Sequence, residues 1–136
     1  MAGEATGTVE LLDGLVPSLK DLGGFERIWL LYWFDRADLS GRMVVTPYLD
    51  PTPRGVFSTR APSRPNPIGL SCVKLLGIEE NILRIQGVDV LDGTPVLDIK
   101  PYVPRFDSFE GVKAGWVDSA KGDQTVADSR FEEHGP

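Results

Sequence analysis

A mostly β protein is predicted, on three observations. Short β-rich stretches recur along the chain with turn signals about every 8–12 residues, as in a sandwich or barrel. Residues 28–34, IWLLYWF, form an unbroken apolar run of seven and suit a core strand. Residues 51–70, PTPRGVFSTRAPSRPNPIGL, hold five prolines. Proline fixes φ and lacks an amide donor, so this segment is neither an ordinary helix nor a central strand.

The elements follow in order. Residues 8–12 suggest a short strand. Pro17-Ser18 open a helical turn over 19–22, stopped by Gly23-Gly24. The aromatic run 28–34 comes next and ends at the charged pair Asp35-Arg36. A strand over 42–47 follows the Gly41 break, and Val56-Phe57-Ser58 reads as another short one. Residues 68–76 and 82–88 form a hairpin across Glu79-Glu80-Asn81. Asp92-Gly93 marks a turn between 88–91 and 95–99. Residues 1–108 are expected to form the domain. Residues 109–136 form a polar, acidic C-terminal tail, with Trp116 as the one sign that its start packs onto something.

Composition excludes several classes. The 136 residues suffice for one core. No stretch approaches a membrane span and no signal peptide is visible. Cys72 is alone, so there is no intrachain disulfide and no Cys-rich zinc site, and Cys72 itself reads as a small buried apolar residue. These features fit the cytoplasm. The only histidine, His134, is nearly terminal, which leaves no Ser-His or Cys-His pair. There is no Gly-rich dinucleotide fingerprint, no phosphate loop and no carboxylate cluster with metal-ligand spacing, so no metal is expected.

What remains is chemistry that needs little side-chain acid–base help, such as group transfer from an activated cofactor. The proline segment is the first candidate cradle. From residue 51 to 78 the chain carries four cations and no carboxylate, although its overall formal charge is −6. Arg60 and Arg64 offer planar forks to a carboxylate or phosphate. Asn66 is held stiffly between two prolines. The interleaved Val56, Phe57, Ile68 and Leu70 ask for a core, so the segment reads as a binding loop anchored at both ends. The second candidate is Asp89-Val90-Leu91-Asp92-Gly93-Thr94, whose two carboxylates around a glycine turn suit ribose hydroxyls or an ammonium group. Each has a plainer reading: solvated loop charges for the arginines, a turn-capping amide for Asn66, a hairpin turn for Asp92-Gly93, and a surface ion pair for Asp98 and Lys100.

Together, GVFSTRAPSRPNPIGLS (55–71) and DVLDGTPVLDIKPYVPRFDS (89–108), with LYWFDRA (31–37) before them, resemble the TrmO family. The resemblance implies a small β-barrel, non-Rossmann, S-adenosylmethionine-dependent methyltransferase with a short helical segment, acting as a homodimer. The implied reaction N6-methylates threonylcarbamoyl-adenosine in tRNA, next to the anticodon. Matched by motif, the implied cofactor contacts are Asp35, Arg36, Arg60, Leu70, Asp89, Val90, Leu91, Asp92, Gly93 and Thr94. Arg64, Asn66, Asp98, Lys100 and Tyr102 stand in the same strings and are implied as substrate-binding or supporting residues. Many relatives have a His and a polar residue where this chain has Asp35-Arg36. Relatives usually also begin with another strand and a Pro-Arg-Gln segment, ahead of where this sequence starts, and many bacterial members have a second C-terminal domain. The general base is not indicated; Asp92 and Asp98 are the candidates. The alternatives are a methyltransferase for another small substrate and a non-catalytic S-adenosylmethionine sensor.

Overall fold

A computed structural model describes residues 4–38, 40–48 and 50–120. The chain divides into two compact units. Of the described residues, one unit comprises 4–32, 70–89 and 96–108; the other comprises 33–38, 40–48, 50–69, 90–95 and 109–120.

The first unit is built on a five-stranded sheet in the order β1-β6-β5-β2-β7. Its strands are β1 (Thr6–Glu10), β2 (Arg27–Trp33), β5 (Ile68–Glu79), β6 (Ile82–Gln86) and β7 (Val96–Pro101). The aromatic run becomes β2, an inner strand. Ile28, Leu30 and Tyr32 are buried on one face, while Trp29, Leu31 and Trp33 are half-buried on the other. Cover on both faces explains why the run shows no polar alternation. The remaining core residues are Val9, Val73, Leu83 and Ile85. The β5–β6 hairpin turns at Glu80, whose φ of 55° is left-handed. The Asn81 side chain donates to the Leu11 carbonyl (2.9 Å) and so fastens the end of β1 to this turn. A register shift between Leu75 and Gly77 puts Gly77 opposite Arg84. A Cβ at Gly77 would lie 2.7 Å from that guanidinium, so the bulge takes glycine. After β7 comes a single helical turn, α1 (Pro104–Asp107). Asp107 accepts from the Val103 amide (2.8 Å) and from the Trp29 indole (3.3 Å), and Trp29 also packs against Tyr102 with ring centroids 5.7 Å apart.

The second unit has little regular structure. β3 (Val44–Val45) pairs antiparallel with β4 (Arg54–Gly55), and Val45, Val56 and Ala61 form its small core. Ser63 is fully buried, and its hydroxyl donates to the Asp38 carbonyl (2.5 Å). A 3-10 turn over Gly115–Ser119 closes the described chain.

The mostly β class holds, with several corrections. The described strands form an open sheet with β1 and β7 at its edges; they do not close into a barrel. Val56–Ser58 is a 3-10 turn, not a strand. Its end is tied by Thr59, whose amide and hydroxyl both donate to the Val56 carbonyl, and local bonds of this kind override β propensity. The helical turn expected over 19–22 is replaced by two 3-10 segments, Asp13–Leu19 and Leu22–Gly24, separated by Asp21 at a φ of 67°. Residues 88–91 are not a strand. Of the four apolar residues that ask for a core, only Val56 is buried; Phe57, Ile68 and Leu70 are exposed. Cys72 is only half-buried. No helix among the described residues is long and apolar enough to cross a membrane.

Candidate functional site

Two of the predicted stretches meet in the second unit. Arg36, just past the end of β2, donates from Nη2 to the Asp92 carbonyl (2.5 Å), while its Nε lies 4.0 Å from the Asp35 carboxylate. The turn it grips closes on itself, because the Thr94 hydroxyl and amide both donate to the Leu91 carbonyl (2.6 and 3.2 Å). Gly93 has φ of 84°, and a Cβ there would lie 3.1 Å from Arg36 Nη2. Glycine is therefore required twice, by its conformation and by the approach of the guanidinium. The chain returns to register where the Trp33 amide donates to the Pro95 carbonyl (3.0 Å). The result is an exposed shelf carrying the Asp35 and Asp92 carboxylates on a fastened backbone. Acceptors so placed suit hydroxyl pairs or an ammonium group. The Asp92-Gly93 turn is thus also the plain turn that its sequence suggests.

The three arginines of the proline loop do different things. Arg54 is ion-paired with Asp50 and lies over the Trp116 ring, 5.4 Å from its centroid. The Thr52 amide and then the Arg54 guanidinium hold the Asp50 carboxyl below its usual range. Arg64 Nη1 donates to the carbonyls of Thr59 (2.8 Å) and Ala61 (3.2 Å), so its fork fastens the loop from within. Arg60 is exposed and has no hydrogen-bond or ion-pair partner among the described residues. Asn66 is exposed, and its carbonyl accepts from the Ile68 amide (2.7 Å). Buried Pro62 and Pro67 seat the loop.

In the first unit, Asp89 is half-buried and accepts from the Ser71 hydroxyl (3.4 Å), which is 2.8 Å from the Tyr32 hydroxyl. With Ser71 donating to Asp89, the Tyr32 hydroxyl is the donor to Ser71. Leu70 is exposed on β5; in the second unit, Val90 is half-buried. Asp98 and Lys100 form an exposed ion pair (3.0 Å) along β7, as their spacing suggests; Lys100 and then the Ile99 amide lower the Asp98 carboxyl. Tyr102 is occupied with Trp29. The structure therefore joins Asp35, Arg36 and the 91–94 turn, and gives Arg64, Asp98, Lys100 and Tyr102 structural partners.

Sequence reasoning missed two features, the Asp50 partner of Arg54 and the Tyr32–Ser71–Asp89 chain, neither of which carries a local signal. The packing expected of Trp116 is present: its indole donates to the Ser58 carbonyl and its ring lies against Arg54.

The chain is similar to known proteins over most of its length. The family described as the tRNA-methyltransferase O N-terminal domain matches residues 1–108. A Pyrococcus abyssi relative, named as a probable S-adenosyl-L-methionine-binding protein, is 49% identical over 132 residues, covering 96% of this chain and 71% of its own length. The human tRNA (adenine(37)-N6)-methyltransferase is 44% identical over 97 residues, 70% of this chain and 22% of that protein. The crystal structure of TrmO from Pseudomonas aeruginosa superimposes with a TM-score of 0.69 at 43% identity, over 84% of this chain and 49% of that one. The chain thus spans about half of the Pseudomonas aeruginosa chain and about a fifth of the human protein. Since the match takes in β1 through α1, along with both stretches that build the shelf, this chain belongs to the TrmO N-terminal domain family.

Proposed function

We propose that the protein is a cytoplasmic, homodimeric methyltransferase that uses S-adenosylmethionine to methylate N6 of threonylcarbamoyl-adenosine in tRNA, beside the anticodon. The observation that carries this reading is the junction of Arg36 with the Asp92-Gly93 turn. It holds two exposed carboxylates ready for the hydroxyl and ammonium groups of such a cofactor, and the residues present fit that group. Arg60, cationic and without a partner among the described residues, suits the cofactor's carboxylate. The names of the P. abyssi and human relatives support the cofactor and the tRNA substrate respectively.

When bound, the cofactor would supply a methyl group activated by its sulfonium, so that the substrate amine needs only placement and loss of one proton. The protein's part is orientation and proton removal. Asp35, Arg36, Arg60, Val90, Leu91, Asp92, Gly93 and Thr94 hold the cofactor in this reading. For Leu70 and Asp89, in the first unit, cofactor contact rests on the family resemblance alone. Arg64 serves as frame, and Asn66, on the exposed rim of the loop, is offered to the substrate. Asp92 is the group proposed to take the proton.

Incubation with threonylcarbamoylated tRNA and methyl-labelled cofactor tests the proposal. Transfer of label to the tRNA is expected. Cofactor binding without transfer would sink the tRNA assignment and leave a methyltransferase for another small substrate, a reading that the net charge of −6 favours, or a sensor.

A further inference from the structure

Phe57 is 81% exposed, the highest value among the large apolar side chains of the described residues. It is not exposed through looseness, because its neighbours are fastened. The Val56 side chain is buried in the small core, and the Val56 amide donates to the Met43 carbonyl (2.8 Å). The Ser58 hydroxyl donates to the Gly55 carbonyl (2.7 Å), and the Ser58 carbonyl accepts from Trp116 Nε1 (2.8 Å). Thr59 is buried and bonded back to Val56. A rigid turn therefore presents one aromatic ring to solvent. The charge around it is specific too. Arg60 follows the same turn with no partner among the described residues, Arg64 bonds only neutral carbonyls there, and no carboxylate occurs from residue 51 to 78.

We propose that Phe57 is a stacking platform for an unpaired RNA base. A flat apolar face three residues before Arg60, in a stretch without carboxylates, matches a base attached to a phosphate chain. An apolar partner protein would gain nothing from the two cations. The proposal rests on the tRNA reading above and deepens it: the turn that offers Arg60 to the cofactor would hold a nucleotide of the anticodon loop on its aromatic face.

The test uses the full chain, an anticodon stem-loop RNA and an oligoadenylate of about eight nucleotides. Phe57→Ala is expected to weaken binding of both RNAs about 5- to 100-fold. Phe57→Trp should restore it to within about threefold, and its emission should be quenched by added RNA beyond any change in the wild-type protein. Because the side chain stands in solvent, neither variant should alter the circular dichroism spectrum. Unchanged affinity of Phe57→Ala, with the wild type binding RNA, overturns the platform alone and leaves the tRNA reading standing. Emission from Phe57→Trp that shifts with protein concentration and not with RNA assigns the ring to a second copy and overturns the platform. Absence of RNA binding by the wild type overturns both.

Discussion

The Trp116 indole donates a 2.8 Å hydrogen bond to the Ser58 carbonyl while its ring lies under the Arg54 guanidinium. Residues beyond the family match at 108 thus clasp the proline loop at two points. Trp116→Ala removes a hydrogen bond and a cation–π contact, and is expected to destabilise the protein by about 1–2 kcal/mol. Trp116→Phe should cost about half as much. Urea unfolding gives the totals, and faster amide exchange at Thr59 should accompany the alanine variant.

Gly93→Ala is expected to cost about 1–2 kcal/mol in stability, because φ there is 84° and the new methyl meets Arg36 Nη2 at 3.1 Å. The guanidinium can swing away, so the more telling effect is on binding. Cofactor affinity by calorimetry should fall about tenfold. Arg36→Ala should match that fall while changing stability by less than about 0.5 kcal/mol, since Arg36 is exposed.

Asp50 links stability to pH. Its folded pKa is held below the ordinary value of 3.8 by the Thr52 amide and Arg54. A depressed carboxyl contributes stability that is complete above the unfolded pKa and disappears as pH falls through the lowered folded value. Asp50→Asn should therefore be less stable than the wild type at about pH 7, and the gap should close on acidification below about pH 4. Paired denaturant titrations across that range measure it. A gap that stays constant with pH would show that the carboxylate is not responsible.

Cys72 should label slowly. Burial pushes its thiol pKa up, against the opposing pull of Arg27. Alkylation of the folded protein at about pH 7.5 should run well below the rate in denaturant, and should rise on Arg27→Ala only if the side-chain cover of β5 is also lost.

Parts of the fold with local causes were legible in the sequence. The run 28–34 announces an inner strand, because only a strand covered on both faces tolerates Trp29, Leu31 and Trp33 beside Ile28, Leu30 and Tyr32. The β5–β6 hairpin shows through its polar turn. Val56-Phe57-Ser58 misled, since its β-branched and aromatic composition is outweighed by hydrogen bonds from Ser58 and Thr59 that composition does not reveal. Within the candidate site, the Asp92-Gly93 turn and the Asp98–Lys100 pair were visible, because each depends on near neighbours in sequence. The separate fates of Arg54, Arg60 and Arg64 were not. They depend on where the proline-rich backbone points its carbonyls and on an aspartate just outside the loop.

That aspartate changes how the loop would be felt by a polyanion. A cation already paired with Asp50 neutralises no phosphate and so releases no counterion from an arriving RNA. In the RNA-binding reading, with no cofactor bound, the loop's contribution to the slope of log affinity against log salt is at most that of Arg60 and Arg64, about −1.4, and not the roughly −2.1 that three arginines would give. Asp50→Asn would release Arg54 into that count and steepen the slope, so the charge this surface shows to nucleic acid is set by one residue outside its basic stretch.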